Sequence, residues 1–298
     1  MELFLERLIS GLTNGSIYAL LALALVVVFR GTGTLNFAQG ELALFTTFVA
    51  WWLTTQSLPV WVAIVAALAL GFVMGAVIER VLIRPVQRRN DMAVLIVALG
   101  LFTGLNSLAG LLWGSETKIM PSPFPNGMDD YVSIGGARLY FDALGVWAAL
   151  IVLMVLMTLL FKKTKVGLHM RAVADNPESA TLAGVRTSRI LAIGWGLSGA
   201  IGALAGVLVT PLAPQQLGLT TMFSIFIAAS AAALFGGLDS LVGAIVGGLT
   251  IGVLEAMLTG YISVIGGSLQ QTSALIIIVA ILFVRPNGLF GTQKLVRV

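Results

Sequence analysis

The chain has 298 residues, of which 58% are hydrophobic and 10% charged, with a net charge of +4, one histidine and no cysteine. Soluble domains carry roughly a quarter charged residues, so this composition places the chain in a membrane. It also excludes a disulfide framework and a thiolate metal site, and the basic residues, set at the ends of apolar stretches, mark topology and do not form a nucleic-acid surface.

A helix needs about 20 apolar residues to cross the hydrocarbon core. In chain order the candidate spans are 8–29, 41–56, 60–82, 92–113, 142–161, 190–210, 222–236, 241–260 and 270–284. The second and seventh are short, which makes each a candidate broken or re-entrant element. The fold class expected is therefore an all-α polytopic membrane protein with eight or nine transmembrane helices in one domain, 1–298. The first apolar run lacks a basic n-region and a small-residue cleavage site, so it reads as a retained span.

Polar groups inside a membrane are expensive and often functional. The first span carries Asn14, Ser16 and Tyr18 in the run NGSIYAL. The boundary that follows, GTLNFAQGE, holds Asn36, Gln39 and Glu41. Two readings of it stand side by side: a broken helix lining a hydrated cavity, where exposed backbone is tolerated, or an ordinary turn before the next helix. Glu255 lies well inside the span 241–260 and must pair, protonate or face water. A hydrogen-bonded structural glutamate and a proton relay are the two alternatives. Asn14, Ser16, Tyr18, Asn36, Gln39, Glu41 and Glu255 are the candidate path residues.

Arginines and lysines set the orientation. Arg80, Arg84, Arg88 and Arg89 follow the third span, Lys162, Lys163, Lys165, Arg171, Arg186 and Arg189 follow the fifth, and Arg285, Lys294 and Arg297 follow the last. The positive-inside rule puts all three clusters in the cytoplasm. The loop 114–141, with three prolines and mixed charge, is then expected outside. Nine full spans put the N-terminus outside as well, whereas a re-entrant first or second segment puts it inside.

The segment 167–190, GLHMRAVADNPESATLAGVRTSRI, is a polar island between two apolar spans. It reads as two short helices, with Asn176 as N-cap of the second, Pro177 at its first position and Glu178 on its positive dipole end. Leu182, Ala183 and Val185 give an apolar side suited to docking. No G-x-x-x-x-G-K-[ST] is present, so any ATP-driven motor is another polypeptide. Glycines four apart (11/15, 71/75, 100/104, 202/206 and 243/247) allow close helix packing. A rival reading is an ion-coupled secondary transporter using Glu41 or Glu255. An embedded enzyme lacks a histidine pair or a carboxylate dyad.

Six blocks, GLTNGSIYALLALAL, LNFAQGELAL, MRAVADNPESATLAGV, GALAGVLVTPLAP, LFGGLDSLVGAIVGGLTIGVLE and RPNGLFG, together resemble the permeases of the branched-chain amino acid ABC importer family, the LivH/LivM type, over nearly the whole chain. The resemblance is to the LivH side, given the length. It implies an ABC importer permease fold in a bacterial inner membrane. It also implies a second, LivM-type permease, two cytoplasmic ATPases that bind the ATP and Mg, and a periplasmic binding protein, with no cofactor in this chain. The block 163–189 matches the family's cytoplasmic coupling segment, so Arg171, Ala172, Asp175, Asn176, Glu178, Leu182 and Gly184 are the candidate coupling residues, and 114–141 is the periplasmic loop. Many family members carry histidine where this chain has Gln39, and 223–238 diverges from the usual run. Family importers of urea, short amides and aromatic acids keep the substrate open.

Overall fold

The computed structural model describes residues 2–33, 35–87, 91–212, 216–261, 276 and 288–291. The expected last span, 270–284, lies outside the described residues apart from position 276, as do Arg88, Arg89, Arg285, Lys294 and Arg297.

Helix α1 (Glu2–Thr32) is the axis of the molecule, and its residues from Gly15 to Val28 are all buried. A helix apolar on every side belongs in a core, and α1 is surrounded accordingly. The chain continues through α2 (Gln39–Thr55) and α3 (Val60–Ile78), which runs through a π-helical turn (Glu79–Ile83) into α4 (Arg84–Gln87). Pro85 lacks an amide proton and its ring crowds the carbonyl four residues back, so the widened turn before it absorbs the interruption. Then come α5 (Asp91–Trp113), strands β1 (Tyr131–Ile134) and β2 (Ala137–Tyr140), α6 (Phe141–Lys163), α7 (Lys165–Asp175), α8 (Pro177–Leu182), α9 (Thr187–Val209), α10 (Thr221–Gly236) and α11 (Leu241–Tyr261).

Six of these stretches are long and apolar enough to cross a membrane: α1, α3 with its continuation to Gln87, α5 from Met92, α6, α9 and α11. Helices α2 and α10 are shorter, with 17 and 16 residues. The protein is therefore an all-α polytopic membrane protein carrying one small hairpin. In that hairpin β1 pairs antiparallel with β2 from Tyr131↔Tyr140 to Ile134↔Ala137. Gly135 and Gly136 both have positive φ, 60° and 90°, as a two-residue hairpin turn requires.

Helix α11 lies against α1 so closely that a Cβ on Gly15 would come 2.8 Å from the carbonyl oxygen of Gly248. Helices α3 and α9 meet in the same way, where a Cβ on Gly71 would fall 2.5 Å from the carbonyl oxygen of Gly199. Backbones this close gain dispersion and interhelical contacts that lipid cannot offer. Gly100 and Gly104 on α5 differ: among the described residues nothing lies within 4 Å of a Cβ on either.

The start of α1 stands beside the hairpin turn, with Leu5 against Gly135 and Glu2 against Gly136. Its other end reaches the α7–α8 face, where the Arg30 guanidinium sits 5.4 Å over the Phe161 ring. The N-terminus thus lies on the hairpin side of the bundle.

Candidate functional site

Helices α2 and α10 both begin inside the bundle, from opposite faces. At α2, Gln39 Nε2 donates to the carbonyl oxygen of Ser198 at 3.0 Å, and Ser198 Oγ donates to the carbonyl oxygen of Ala24 at 2.8 Å. Ala24 is eight residues before the end of α1, so α2 starts about 12 Å in from that end at 1.5 Å per residue. At α10, Asn106 Nδ2 donates to the carbonyl oxygen of Leu219 at 2.9 Å. Asn106 is seven residues from the end of α5, which sets the start of α10 about 10 Å deep. The two starts then meet, since a Cβ on Gly40 would touch Phe226, and Phe37 and Phe226 have ring centroids 6.2 Å apart.

The α2 start is a closed network. Asn36 and Gln39 are 1% and 0% exposed. Asn36 Oδ1 accepts from the Ala38 amide at 3.1 Å, folding the approach into a turn. Gln39 Oε1 accepts from Asn36 Nδ2 at 3.2 Å and lies 2.7 Å from Ser198 Oγ, whose single proton is shared between it and the Ala24 carbonyl. These bonds tie the irregular backbone before α2 to α1 and α9, so irregular backbone at this depth is enclosed by protein.

Glu41, in the first turn of α2, is fully buried. Its Oε2 accepts from Asn106 Nδ2 at 3.0 Å, while its Oε1 has no hydrogen-bond partner among the described residues. Asn106 thereby links Glu41 to the backbone entering α10. The start of α10 is more exposed than that of α2, although its Thr221 and Phe223 amides donate to the Gly218 and Thr220 carbonyls at 3.1 and 3.2 Å. Thr220 supplies no side-chain cap and is exposed, and Phe223 is 41% exposed. Phe102 on α5 meets Phe223 edge to face at 5.8 Å.

The remaining candidate path residues lie on α1 and α11. Tyr18 Oη donates to Glu255 Oε2 at 2.7 Å, both side chains buried, which clamps these two helices together. Ser16 Oγ donates back to the carbonyl of Leu12 at 2.7 Å within its own helix, and Asn14 is half-buried on the same helix. The structure thus brings Asn36 and Gln39 into one group, Tyr18 and Glu255 into another, and Glu41 into a third. Asn106 and Ser198 were not singled out from the sequence, although Asn106 stands alone as a carboxamide within an apolar run, the signal that could have found it.

On the opposite face the polar island forms α7 and α8. Asn176 Oδ1 accepts from the Ser179 amide at 2.9 Å, capping α8, with Pro177 at its first position. Met170, Val173 and Ala180 face inward, whereas Arg171, Asp175, Glu178 and Gly184 are exposed, Ala172 is half-buried, and Leu182 is 90% exposed. Gly184 turns the chain into α9 with φ of 84°. Nearby, Arg84 holds the buried Glu79 with a two-pronged contact, Nε to Oε1 at 3.0 Å and Nη2 to Oε2 at 2.6 Å, and Nη2 also reaches the carbonyl of Ser188 at 2.7 Å. Glu79 therefore pairs across the π turn, and its neighbour Arg80 is exposed.

Comparison with known proteins follows the same lines. The family model for the branched-chain amino acid transport system permease component matches residues 7–285. The chain is 30% identical to the high-affinity branched-chain amino acid transport system permease protein LivH of Salmonella typhimurium, over 99% of this chain and 98% of that one. It is 24% identical to the ribose import permease protein RbsC of Haemophilus influenzae, over 97% and 87%. Among solved structures, PsaBC from Streptococcus pneumoniae in complex with Fab shares the fold with a TM-score of 0.52 and 16% identity, over 93% of this chain and 91% of that one. The chain belongs to the family of branched-chain amino acid transport system permease components.

Proposed function

We propose that this chain is a permease subunit of an ATP-binding cassette importer for the branched-chain amino acids leucine, isoleucine and valine. The observation that carries this reading is the end-to-end likeness to the LivH permease of Salmonella typhimurium, with 99% and 98% of the two chains aligned. The chain works in a bacterial inner membrane beside a second, LivM-type permease. The hairpin face looks out to a periplasmic binding protein, and the α7–α8 face docks two cytoplasmic ATPases. Three basic residues of α7 and its approach, Lys163, Lys165 and Arg171, support that orientation by the positive-inside rule.

Hydrolysis in the ATPases moves α7 and α8, and the movement passes to the bundle through their inward contacts at Met170, Val173 and Ala180. Chemistry in this subunit is then limited to holding and releasing solute. The test is uptake by the reconstituted assembly, with the binding protein outside and ATP supplied on the ATPase side. ATP-dependent uptake of leucine, isoleucine or valine supports the reading, and gradient-driven uptake by this polypeptide alone overturns it. A second reading, import of another small solute by the same machinery, is favoured by the 24% identity to a ribose import permease. A panel of labelled solutes in the same assay separates the two.

A further inference from the structure

We propose that residues 115–123, on the hairpin side of the bundle, form an outer lid, pinned to the approach to α10 and plugged by Met120, that lifts to admit solute. This inference rests on the importer reading and adds the step that opens this subunit from outside.

The segment is lightly held. Between α5 and β1 the backbone has no regular structure, and Pro121, Pro123 and Pro125 carry no amide proton to donate. Among the described residues, the backbone of 115–126 bonds to the rest of the protein at one place. There Lys118 and Leu217 exchange two amide–carbonyl bonds, both at 2.9 Å, with Leu217 buried four residues before α10. The two ends are fixed differently. Gly114, with φ of 79°, turns the chain out of α5. Phe124 packs onto Gly145 of α6, where a Cβ would strike its ring, and stands edge to face with Trp61 of α3 at 5.7 Å. A stretch anchored at both ends, with one bridge in the middle, is the kind that opens locally at low free energy.

Side chains alternate along the lid, as extended backbone requires. Lys118 lies inward, its Nζ 5.6 Å over the Trp51 ring, while Ile119 is 71% exposed and Met120 is buried. Met120 fills a socket with Ala50 of α2, Ala63, Ile64 and Ala67 of α3, and Ala203 and Val207 of α9. Four of these six neighbours end at a methyl group, so the walls do not interlock with the plug. An unbranched thioether with three rotatable bonds leaves such a socket without disturbing a wall rotamer. Ala63 is three residues from the start of α3 and Val207 two from the end of α9, so the socket begins about 5 Å or less below those outer ends. Lifting the lid therefore uncovers an apolar depression between three helices, a surface that an aliphatic solute gains by covering. Because Lys118 grips Leu217, the same movement pulls on the segment leading into α10.

The chain has no cysteine, which makes a lock straightforward to build. Residues that exchange both backbone bonds across an antiparallel pair stand about 5.5 Å apart at Cα, within disulfide range. The double variant Lys118→Cys, Leu217→Cys is reconstituted in the full assembly, with the binding protein outside and ATP on the ATPase side. The solute is whichever of the labelled panel the wild-type assembly imports. Oxidation, followed by gel shift, drops uptake to the level without ATP, and reduction restores it. A single variant, Ala63→Cys, reports the opening itself. A charged, membrane-impermeant methanethiosulfonate added outside leaves it unmodified at rest and modifies it during turnover. Undiminished uptake through the oxidised lock overturns the lid, as does a protected Ala63→Cys during turnover. If the double variant does not assemble or cross-link, the labelling of Ala63→Cys decides alone. A wild-type assembly with no ATP-dependent uptake of any solute overturns the importer reading, and the lid with it.

Discussion

The Gln39 network gives a quantitative test through its neighbour Gly202. Gln39 makes three side-chain hydrogen bonds, to the Ser198 carbonyl at 3.0 Å, from Ser198 Oγ at 2.7 Å (a proton shared with the Ala24 carbonyl) and from Asn36 at 3.2 Å. Interhelical hydrogen bonds within membranes average about 0.6 kcal/mol each, so Gln39→Ala costs about 2 kcal/mol before any cavity contribution. Gly202→Ala acts on the same group from the other side. Its new Cβ would stand 2.5 Å from Gln39 Nε2, the end of a flexible side chain, with its next neighbour at 3.6 Å. The amide must move off and lose its bond to Ser198, a cost of about 1 kcal/mol. In the double variant the obstacle is gone, so Gly202→Ala adds little to Gln39→Ala. The coupling is therefore about 1 kcal/mol and favourable, as contacting residues show. Reversible unfolding in mixed detergent micelles, applied to the two single variants and the double, measures it. Strictly additive costs, or a neutral Gly202→Ala in the wild-type background, would refute the network as described.

Other substitutions discriminate between contacts of similar appearance. Gly199→Leu drives a side chain into the Gly71 backbone and abolishes the folded bundle, whereas Gly100→Leu meets open space and changes the unfolding free energy of this subunit by about 0.5 kcal/mol or less; proteolysis and thermal unfolding of the two read this directly. Arg84→Ala strands the buried Glu79 and costs about 3–5 kcal/mol, and the double variant Arg84→Ala, Glu79→Gln recovers most of it in the same unfolding assay. Gly184→Val forces a β-branched residue to φ near 84°, at a cost of about 1–3 kcal/mol at that turn. Together with Glu178→Lys, it lowers ATPase co-purification while membrane insertion is unchanged. Unaltered co-purification in both would remove the docking role from α8.

The membrane class and the spans up to residue 260 were legible because hydropathy over 20 residues is a local property. So were the two short segments, 41–56 and 222–236, whose length alone marked them as unusual. The hairpin 131–140 was not read, although Gly-Gly between YVSI and ARLY is a usable turn signal; the three prolines upstream made the whole stretch look irregular. Pairing was illegible for a different reason. Gly71/Gly75 and Gly100/Gly104 have the same spacing, yet one pair is locked against α9 and the other bare. Spacing states that a close approach is possible and says nothing of which helix arrives. The same holds for Glu79, which stands beside Arg80 in sequence and pairs with Arg84 because the π turn rotates that guanidinium onto it.

The two helices that begin inside the bundle differ in how their approaches are enclosed. Irregular backbone inside a membrane survives only if protein encloses it or water reaches it. The approach to α2 takes the first solution, since Asn36, Gln39 and Ser198 are all about 1% exposed or less and bond mainly to one another and to backbone. A solute has no surface to touch there, and replacing those side chains changes stability before it changes transport. The approach to α10 is enclosed less completely: Thr220 and Phe223 are exposed, while the Thr221 and Phe223 amides donate to the Gly218 and Thr220 carbonyls at 3.1 and 3.2 Å. Buried Glu41 Oε1 has no hydrogen-bond partner among the described residues. Polar residues of equal apparent promise in the sequence therefore divide by whether their partners are already present. Where the hydrogen bonds close on themselves, as at Gln39 and at Tyr18–Glu255, the group holds helices together, and its replacement is expected to lower stability before it lowers transport.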